Sequence, residues 1–167
     1  MKTKLTFLLS FTFLFLFYGS VYGEEPVVKK EYWDNGKLKS ETPYNGLGTS
    51  WWETGEKKSK IPYINGKKDG LGTSWFKSGE KMFTTHYKND KEEGLDTGWY
   101  KSGEKWGEMD FKNGKVDGVQ KEWYPSGRKK SFRHYKNGIE NGIRKEWDEN
   151  GKLTYEGNYV DGVEEIK

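Results

Sequence analysis

The sequence predicts an all-β fold, an elongated single-layer antiparallel meander built from stacked β-hairpin repeats. The first observation behind this prediction is a period of 24 residues that recurs without a slip. The second is a pair of tight-turn motifs in each period, and the third is a composition rich in strand-forming aromatic residues. A fixed period of this length is typical of stacked repeat proteins. The tryptophans that define the period are Trp51, Trp75, Trp99, Trp123 and Trp147.

A second set of aromatic residues keeps the same step. Its members are Tyr63, Tyr87, Phe111, Tyr135 and Tyr159. A single sheet has no second layer of aliphatic side chains, so it can use rings stacked at equivalent positions of neighbouring repeats. We therefore interpret both sets of aromatic residues as structural rather than as ligand-binding.

Each repeat contains two glycine turns that separate its strands. One has the form Lys-Ser-Gly, as at 77–79 and 101–103, and the other is Asn-Gly or Asp-Gly. Asn-Gly and Asp-Gly tolerate the positive φ angles of a type I′ turn, which is the strongest short-range signal of a β-hairpin. The dipeptide Asn89-Asp90 departs from this pattern, so we expect a looser turn there.

The segments between the turns are runs of about eight or nine residues rich in Trp, Tyr, Phe and Thr. They are too short for stable helices and favour strands. Two strands per repeat, joined alternately by the two kinds of turn, give a continuous antiparallel sheet. Each repeat should advance the sheet by roughly 10 Å, because neighbouring strands lie about 4.8 Å apart.

The N-terminal segment predicts export. Lys2 and Lys4 precede an apolar run, and a stretch that contains small residues follows. This succession is typical of a secretory signal peptide that is cleaved near Gly23, and it predicts a periplasmic or secreted protein. We expect a signal peptide at 1–23, a polar leader at 24–30 and a repeat domain at 31–167. The repeat domain would contain six repeats, of which the first is shortened and the last ends at the C-terminus.

The composition narrows the classes of partner. The chain has 29 Lys+Arg, 26 Asp+Glu and no cysteine. Two of the lysines fall in the predicted signal peptide, so the exported chain is close to neutral, and Lys and Glu alternate throughout the repeats. Nucleic-acid binding depends on clustered positive charge, so we do not expect it. The lack of cysteine excludes disulfides and thiolate metal sites.

The pattern W-Y-x-x-G followed by Y-x-N-G-K-x-x-G resembles the MORN-repeat variant of bacterial proteins, some of which are labelled as antitoxins of toxin–antitoxin pairs. The resemblance covers roughly residues 31–167. The segment 155–162 comes closest to the Y-x-G-x-Y-x-x-G core of the general family. The resemblance implies an elongated single-layer sheet used for protein or lipid association, and it implies no catalytic residues.

Residues that break the repeat pattern are candidates for binding. Counting by twos from the repeated aromatic residue places Met82, Trp106 and Phe132 on an otherwise polar face. We expect these side chains to form an apolar row that binds a partner, with Trp106 as anchor and Lys130 as a charged rim. In the alternative, the sheet twists and both faces are partly covered. The face that carries the tryptophans is left open, because a one-residue difference in the Lys-Ser-Gly turn exchanges the faces.

The sequence suggests no catalytic or metal-binding constellation. His86 and His134 occupy equivalent positions two repeats apart, roughly 20 Å along the sheet, which is too far to share a metal. The serines of the Lys-Ser-Gly turns have no histidine or acidic partner at a recurring spacing, and the Asn-Gly turns carry too few carboxylates for calcium. We expect no enzyme activity, no metal and no cofactor.

Two classes of function fit these observations. The first is an exported, non-enzymatic repeat scaffold that binds another protein, in the manner of an antitoxin or immunity protein. The second is a cell-wall or glycan-binding module, because aromatic hairpins of about this period also resemble choline- and glucan-binding repeats. In either case we expect a monomer, whose partner is an unknown protein or a component of the cell envelope.

Overall fold

The computed structural model describes residues 28–166, and in that range the chain consists of β-strands and turns. The strands are Val28–Tyr32 (β1), Leu38–Pro43 (β2), Gly46–Trp51 (β3), Lys57–Ile64 (β4), Lys67–Lys68 (β5), Gly70–Trp75 (β6), Lys81–Lys88 (β7), Lys91–Glu92 (β8), Gly94–Trp99 (β9), Lys105–Lys112 (β10), Lys115–Trp123 (β11), Lys129–Lys136 (β12), Ile139–Trp147 (β13), Leu153–Val160 (β14) and Val163–Glu164 (β15).

All of these strands belong to one antiparallel sheet, and their order in the sheet follows their order in the chain. The short strands β5 and β8 pair with β4 and β7. A single residue separates each of them from the longer strand that follows, so each pair of strands acts as one interrupted strand. This architecture confirms the predicted all-β, single-layer antiparallel meander.

The Asn-Gly turns have the backbone that their sequence predicts. Asn65 and Gly66 have φ angles of 53° and 74°, and the Gly66 N–H donates to the Tyr44 carbonyl at 2.7 Å. Asn89 and Asp90 also have positive φ angles, 50° and 69°. The expectation of a looser turn at Asn89-Asp90 is therefore wrong, because a short polar side chain tolerates the left-handed conformation that glycine adopts elsewhere.

The sheet begins before the predicted start of the repeats. Strand β1 starts at Val28, so the last three residues of the expected polar leader are already paired, with Lys30 opposite Glu41. Only Tyr44 and Asn45 separate β2 from β3. The predicted signal peptide lies outside the described residues. In the part of the chain that the structure describes, there is no helix long and apolar enough to cross a membrane.

The two faces of the sheet carry different aromatic rows. Gly70 pairs with Tyr87 and shares its face, whereas Trp75 points to the other side because alternate residues of a strand point to opposite faces. We call the first side the aromatic face, which carries Tyr63, Tyr87, Phe111, Tyr135 and Tyr159. We call the second side the tryptophan face, which carries Trp51, Trp75, Trp99, Trp123 and Trp147.

The sheet is held together without a conventional core, since no large hydrophobic side chain is buried within residues 28–166. On the aromatic face, tyrosine rings lie over glycines. A Cβ atom at Gly48 would lie 2.6 Å from Tyr63 Cε2. On the tryptophan face, lysines lie over indoles, and Lys81 Nζ is 5.0 Å from the Trp99 ring centroid. Ring packing and cation–π contacts therefore supplement the backbone hydrogen bonds.

The aromatic face changes character toward the C-terminal end. Arg144 Nη2 and Arg133 Nη2 lie 2.6 Å and 2.9 Å from Glu146 Oε1. The Arg144 guanidinium lies 5.2 Å from the Tyr155 ring centroid. The Tyr155 hydroxyl donates to Glu164 Oε1 at 2.6 Å, which raises the pKa of Tyr155. A network of charges and hydrogen bonds thus replaces the glycine–tyrosine packing of the earlier repeats.

The junctions between hairpins differ in the same direction. Met109 pairs with Gln120 between β10 and β11, and Arg133 pairs with Arg144 between β12 and β13. The equivalent residues of β7 and β9, Thr85 and Asp96, lie outside the ladder that those strands form. The ladder between neighbouring hairpins is therefore more open in the N-terminal repeats than in the C-terminal ones.

Candidate binding site

A β-bulge decides which face the candidate residues occupy. Between Gly107 and Lys105, the register of β10 against β9 shifts by one residue, so Trp106 is the extra residue of a bulge. The same shift occurs at the start of β4, β7 and β12, where the extra residues are Lys58, Met82 and Lys130. A bulge redirects a side chain relative to simple alternation.

Trp106 lies on the aromatic face. Its ring meets the Phe83 ring edge-on, with centroids 5.8 Å apart and planes at 85°. A Cβ atom at Gly98 would lie 2.2 Å from the Trp106 Nε1 atom, so the indole covers Gly98. Gly98 pairs with Phe83 and with Gly107 and therefore shares the face of Phe83. The prediction that Trp106 lies on a polar face, opposite the repeated aromatic residues, is wrong, because counting by twos fails across a bulge.

The four predicted site residues do not form one row. Lys130 Nζ contacts Glu122 Oε2 at 3.2 Å, and Glu122 belongs to the aromatic face because it pairs with Gly107. Phe132 lies on the tryptophan face, where it pairs with Lys121. Lys130 therefore does not border Phe132.

Phe132 has its own neighbours on the tryptophan face. Its ring meets the His134 ring edge-on, with centroids 4.9 Å apart. Lys121 and Lys145 pair with it from the two adjacent strands. Met82 occupies the same bulge position as Trp106, one repeat earlier, and we infer that it shares the aromatic face. The structure thus groups Met82, Trp106 and Lys130 on one face and separates Phe132 from them.

A shallow cavity of 160 Å³ opens on the aromatic face beside Trp106. Apolar side chains from β7 and β10 form much of its lining, and two carboxylates, one each from β8 and β9, border it. The lining residues that carry these properties are Phe83, Glu92, Asp96, Trp106, Met109 and Phe111. This cavity lies at the middle of the sheet and is the best candidate for a binding site on the aromatic face.

Asp96 is the polar residue that distinguishes this cavity. Its side chain is 9% exposed, and its Oδ1 atom accepts a hydrogen bond from the His86 backbone N–H at 3.0 Å. Burial raises the pKa of Asp96 above that of an exposed aspartate. Gly48 and Gly72 occupy the equivalent position in earlier repeats. Asp96 therefore takes over a hydrogen bond that the open ladder leaves unmade.

Sequence reasoning missed Asp96 and its link to Trp106, although a signal was present. The strand GLGTSW occurs twice unchanged, at 46–51 and 70–75, and becomes GLDTGW at 94–99. The second change replaces serine by Gly98, which is the residue that the Trp106 indole covers. A large residue and a glycine thus appear together in the same repeat, as expected when one makes room for the other.

The two histidines have structural partners. His86 Nδ1 donates to the Leu95 carbonyl at 2.8 Å, and His134 Nδ1 donates to the Ile143 carbonyl at 3.3 Å. Each imidazole therefore bridges two strands. Over the described range 28–166, no three histidine, cysteine, aspartate or glutamate side chains are grouped as a metal site would require.

A comparison with models of protein families finds matches in both the N-terminal and the C-terminal repeats. A family model described as MORN repeat variant matches residues 27–45, 44–65, 116–137 and 140–161. No curated protein matches the chain. The matched segments lie toward both ends of the sheet, and the unmatched stretch between them keeps the same 24-residue step and contains the Trp106 cavity. The chain is a MORN-repeat protein built from repeats of the variant type.

Proposed function

We propose that this protein is an exported, non-enzymatic repeat scaffold that binds a protein partner through the aromatic face of its central repeats. The observation that carries the proposal is the cavity beside Trp106, where apolar side chains remain accessible in the middle of an open sheet. Accessible tryptophans at the centre of a surface are favoured anchors of protein interfaces. MORN repeats are consistent with a scaffold of this kind, and the family is generally non-catalytic.

The chemistry of the cavity indicates what a partner segment would present. Phe83, Met109 and Phe111 offer apolar surface, whereas Glu92 and Asp96 place carboxylates at the border. An apolar side chain next to a lysine or arginine would match both features. The positive charge would also offset the cost of keeping Asp96 ionised where burial disfavours its charge.

A photo-crosslinking experiment tests the location of the interface. Benzoylphenylalanine replaces Met109 in the cavity and, in a matched control, Phe132 on the tryptophan face; both native side chains are partly buried. Irradiation of producing cells should give a discrete protein adduct from position 109 and none from position 132. Adducts of equal yield from both positions, or from position 132 alone, would contradict the proposal.

Charge reversal at the border tests its chemistry. Glu92→Lys should weaken binding of the crosslinked partner at least tenfold, since it places like charge against a basic segment. Glu93→Lys is the matched control, because Glu93 precedes the next strand but is absent from the lining of the cavity. If purified protein instead sediments with isolated cell wall and loses this property in Trp106→Ala, the glycan-binding alternative is the better account.

Export belongs to the same proposal and has its own test. The apolar segment after Lys2 and Lys4 supports it. The N-terminus of the secreted or periplasmic protein should lie near Glu24. Recovery of the chain from the cytoplasm with Met1 intact would contradict export.

A further inference from the structure

The last long strand, β14, has an edge that is only partly used. Tyr159 and Val160 pair with β15, and the Glu165 N–H donates to the Asn158 carbonyl at 2.8 Å. Among residues 28–166, no strand pairs with the outer edge of β14 from Leu153 to Gly157. In the interior of the sheet, the equivalent edge always pairs with another strand. Thr84, for example, pairs with Thr97, and Phe132 pairs with Lys145.

The first strand, β1, has the pattern of the strand that would follow. Lys30 pairs with Glu41 as Thr73 pairs with Thr84. A register shift next to Tyr32 matches the shift next to Trp75. Strand β1 is therefore equivalent to β6, and within the described residues its other edge carries no strand.

The backbone groups on these two edges are complementary. The Asn158 carbonyl points to the outer edge of β14, so the N–H and C=O of Glu156, two residues earlier, point the same way. The Pro62 carbonyl accepts from the Asp69 N–H, so the backbone groups of Lys60, two residues earlier in β4, also point toward β6. Thr73 pairs with Lys60, so its own backbone groups point toward β4. By equivalence, Lys30 points to the edge of β1 that pairs with no strand among residues 28–166.

The side chains on these edges are complementary in charge. Lys145 Nζ lies 2.9 Å from Glu156 Oε1, and Lys30 Nζ lies 3.1 Å from Glu41 Oε1. If β1 of a second copy took the place of the next strand, Lys30 of that copy would lie opposite Glu156. The row on the tryptophan face would then read Lys145, Glu156, Lys30, Glu41, with opposite charges at every step. Opposite charges directly across a ladder stabilise strand pairing.

The exposed apolar side chains at the two ends also match. Leu153 is 42% exposed and is equivalent in its repeat to Lys81. The Lys81 side chain lies over the Trp99 ring of the next hairpin. Tyr32 is 59% exposed and is equivalent to Trp75. Joining the two ends would place Leu153 against Tyr32 of the second copy and remove both from water.

We propose that this protein associates head to tail, with β1 of one copy adding to the outer edge of β14 of another and continuing the sheet. Strand β15 would occupy the start of the shared strand and β1 its remainder, as β5 and β6 do within one chain. The contact is heterologous, because it joins different edges of the two copies, so its repetition generates open linear assemblies. This inference differs from the monomer expected from the sequence and is independent of the proposed partner site.

Charge reversal tests the contact by sedimentation velocity of the purified protein. The wild-type protein should form a ladder of species that grows with concentration. Lys30→Glu and Glu156→Lys should each shift the onset of association to at least tenfold higher concentration, because each places like charges opposite one another. An equimolar mixture of the two variants should associate again, since each edge then meets an oppositely charged edge of the other variant.

Lys60→Glu is the matched control, because Lys60 lies in the same cross-strand row but in the interior of the sheet. It should leave association unchanged, and all variants should keep the melting temperature of the wild type within a few degrees. Wild-type protein that stays monomeric at every concentration would overturn the proposal. So would association that survives in Glu156→Lys, or variants that fail to associate again when mixed.

Discussion

The hairpins between residues 46 and 99 and those between 115 and 160 share one backbone plan but are held by different chemistry. In the first group, Gly48 and Gly72 lie under tyrosine rings on the aromatic face. In the second group, Gln120 and Arg144 occupy the same position, and Arg144 joins a network of charges. The comparison shows that the turns and the strand pairing are common to the repeats, whereas the side chains that cover the aromatic face differ from repeat to repeat.

The second group is also more tightly tied from one hairpin to the next. The Tyr124 hydroxyl donates to the Trp147 carbonyl at 2.8 Å, and the Tyr100 hydroxyl makes the same bond to Trp123. In the first group, the equivalent residues are Trp52 and Phe76, which have no hydroxyl. Together with the more open ladders, this difference makes the N-terminal repeats the less strongly coupled half of the sheet. The candidate binding site lies where the two halves meet.

The largest effect is expected from adding a side chain beneath a tyrosine ring. Gly48→Val should reduce the free energy of unfolding by about 2 kcal/mol, because the new Cβ would displace the Tyr63 ring. Gln120→Val is the matched substitution in the C-terminal half and should cost about 0.5 kcal/mol or less, since a side chain is already accommodated there. Urea unfolding followed by tryptophan fluorescence measures both. Equal losses would show that the two halves are packed alike.

A smaller effect is expected from removing a tyrosine hydroxyl in the C-terminal half and from adding one in the N-terminal half. Tyr124→Phe should destabilise the protein by about 1 kcal/mol, because it leaves the Trp147 carbonyl without its donor. Phe76→Tyr should stabilise it by up to about the same amount by supplying the equivalent bond to Trp99. Thermal unfolding of the two variants and of the double variant checks both signs. A loss of stability in Phe76→Tyr would contradict the equivalence of the positions.

The smallest expected effect is a difference in how the stability of the two halves depends on pH. Arg144 hydrogen-bonds to Glu146 and lowers its pKa, so the contribution of Glu146 is present above its unfolded pKa and lost as pH falls through the folded pKa. Burial raises the pKa of Asp96, so its contribution is present below the unfolded pKa and lost as pH rises through the folded pKa.

The matched variants should therefore respond to pH in opposite directions. At pH 7, Glu146→Gln should destabilise the protein by about 0.5 kcal/mol, and Asp96→Asn should stabilise it slightly, because asparagine keeps an acceptor for the His86 N–H. Both differences should shrink toward pH 3, where the wild-type carboxylates become protonated. Stability curves measured from pH 3 to pH 7 test this, and two variants with the same pH trend would contradict the assignment.

The fold could be predicted from the sequence because its determinants are local and repeated. The 24-residue step, the Asn-Gly turns and the aromatic runs each occur several times. A strand or turn that is ambiguous in one repeat could therefore be assigned from its recurrence in the others. The faces could not be assigned in the same way. A single extra residue at Trp106 reverses the alternation, and nothing in the side-chain pattern marks the bulge unless the change to Gly98 is considered with it.

The complementarity between the edges of β1 and β14 could not be predicted from the sequence either. Lys30 and Glu156 are unremarkable charged residues in a chain with many of them. Only the register of every intervening strand places both in the same cross-strand row, with outward-pointing backbone groups. Such a relation depends on the accumulated pairing of the whole sheet rather than on any local motif.

Hydrogen exchange measured by mass spectrometry tests most directly whether the two halves are unequally coupled. Strands β4 and β12 form a matched pair, because each has eight residues and each is the fourth strand from its end of the sheet. Under native conditions, the amides of Lys57–Ile64 should exchange at least several-fold faster than those of Lys129–Lys136, after correction for intrinsic rates. Equal protection of the two strands, or slower exchange in β4, would contradict the account.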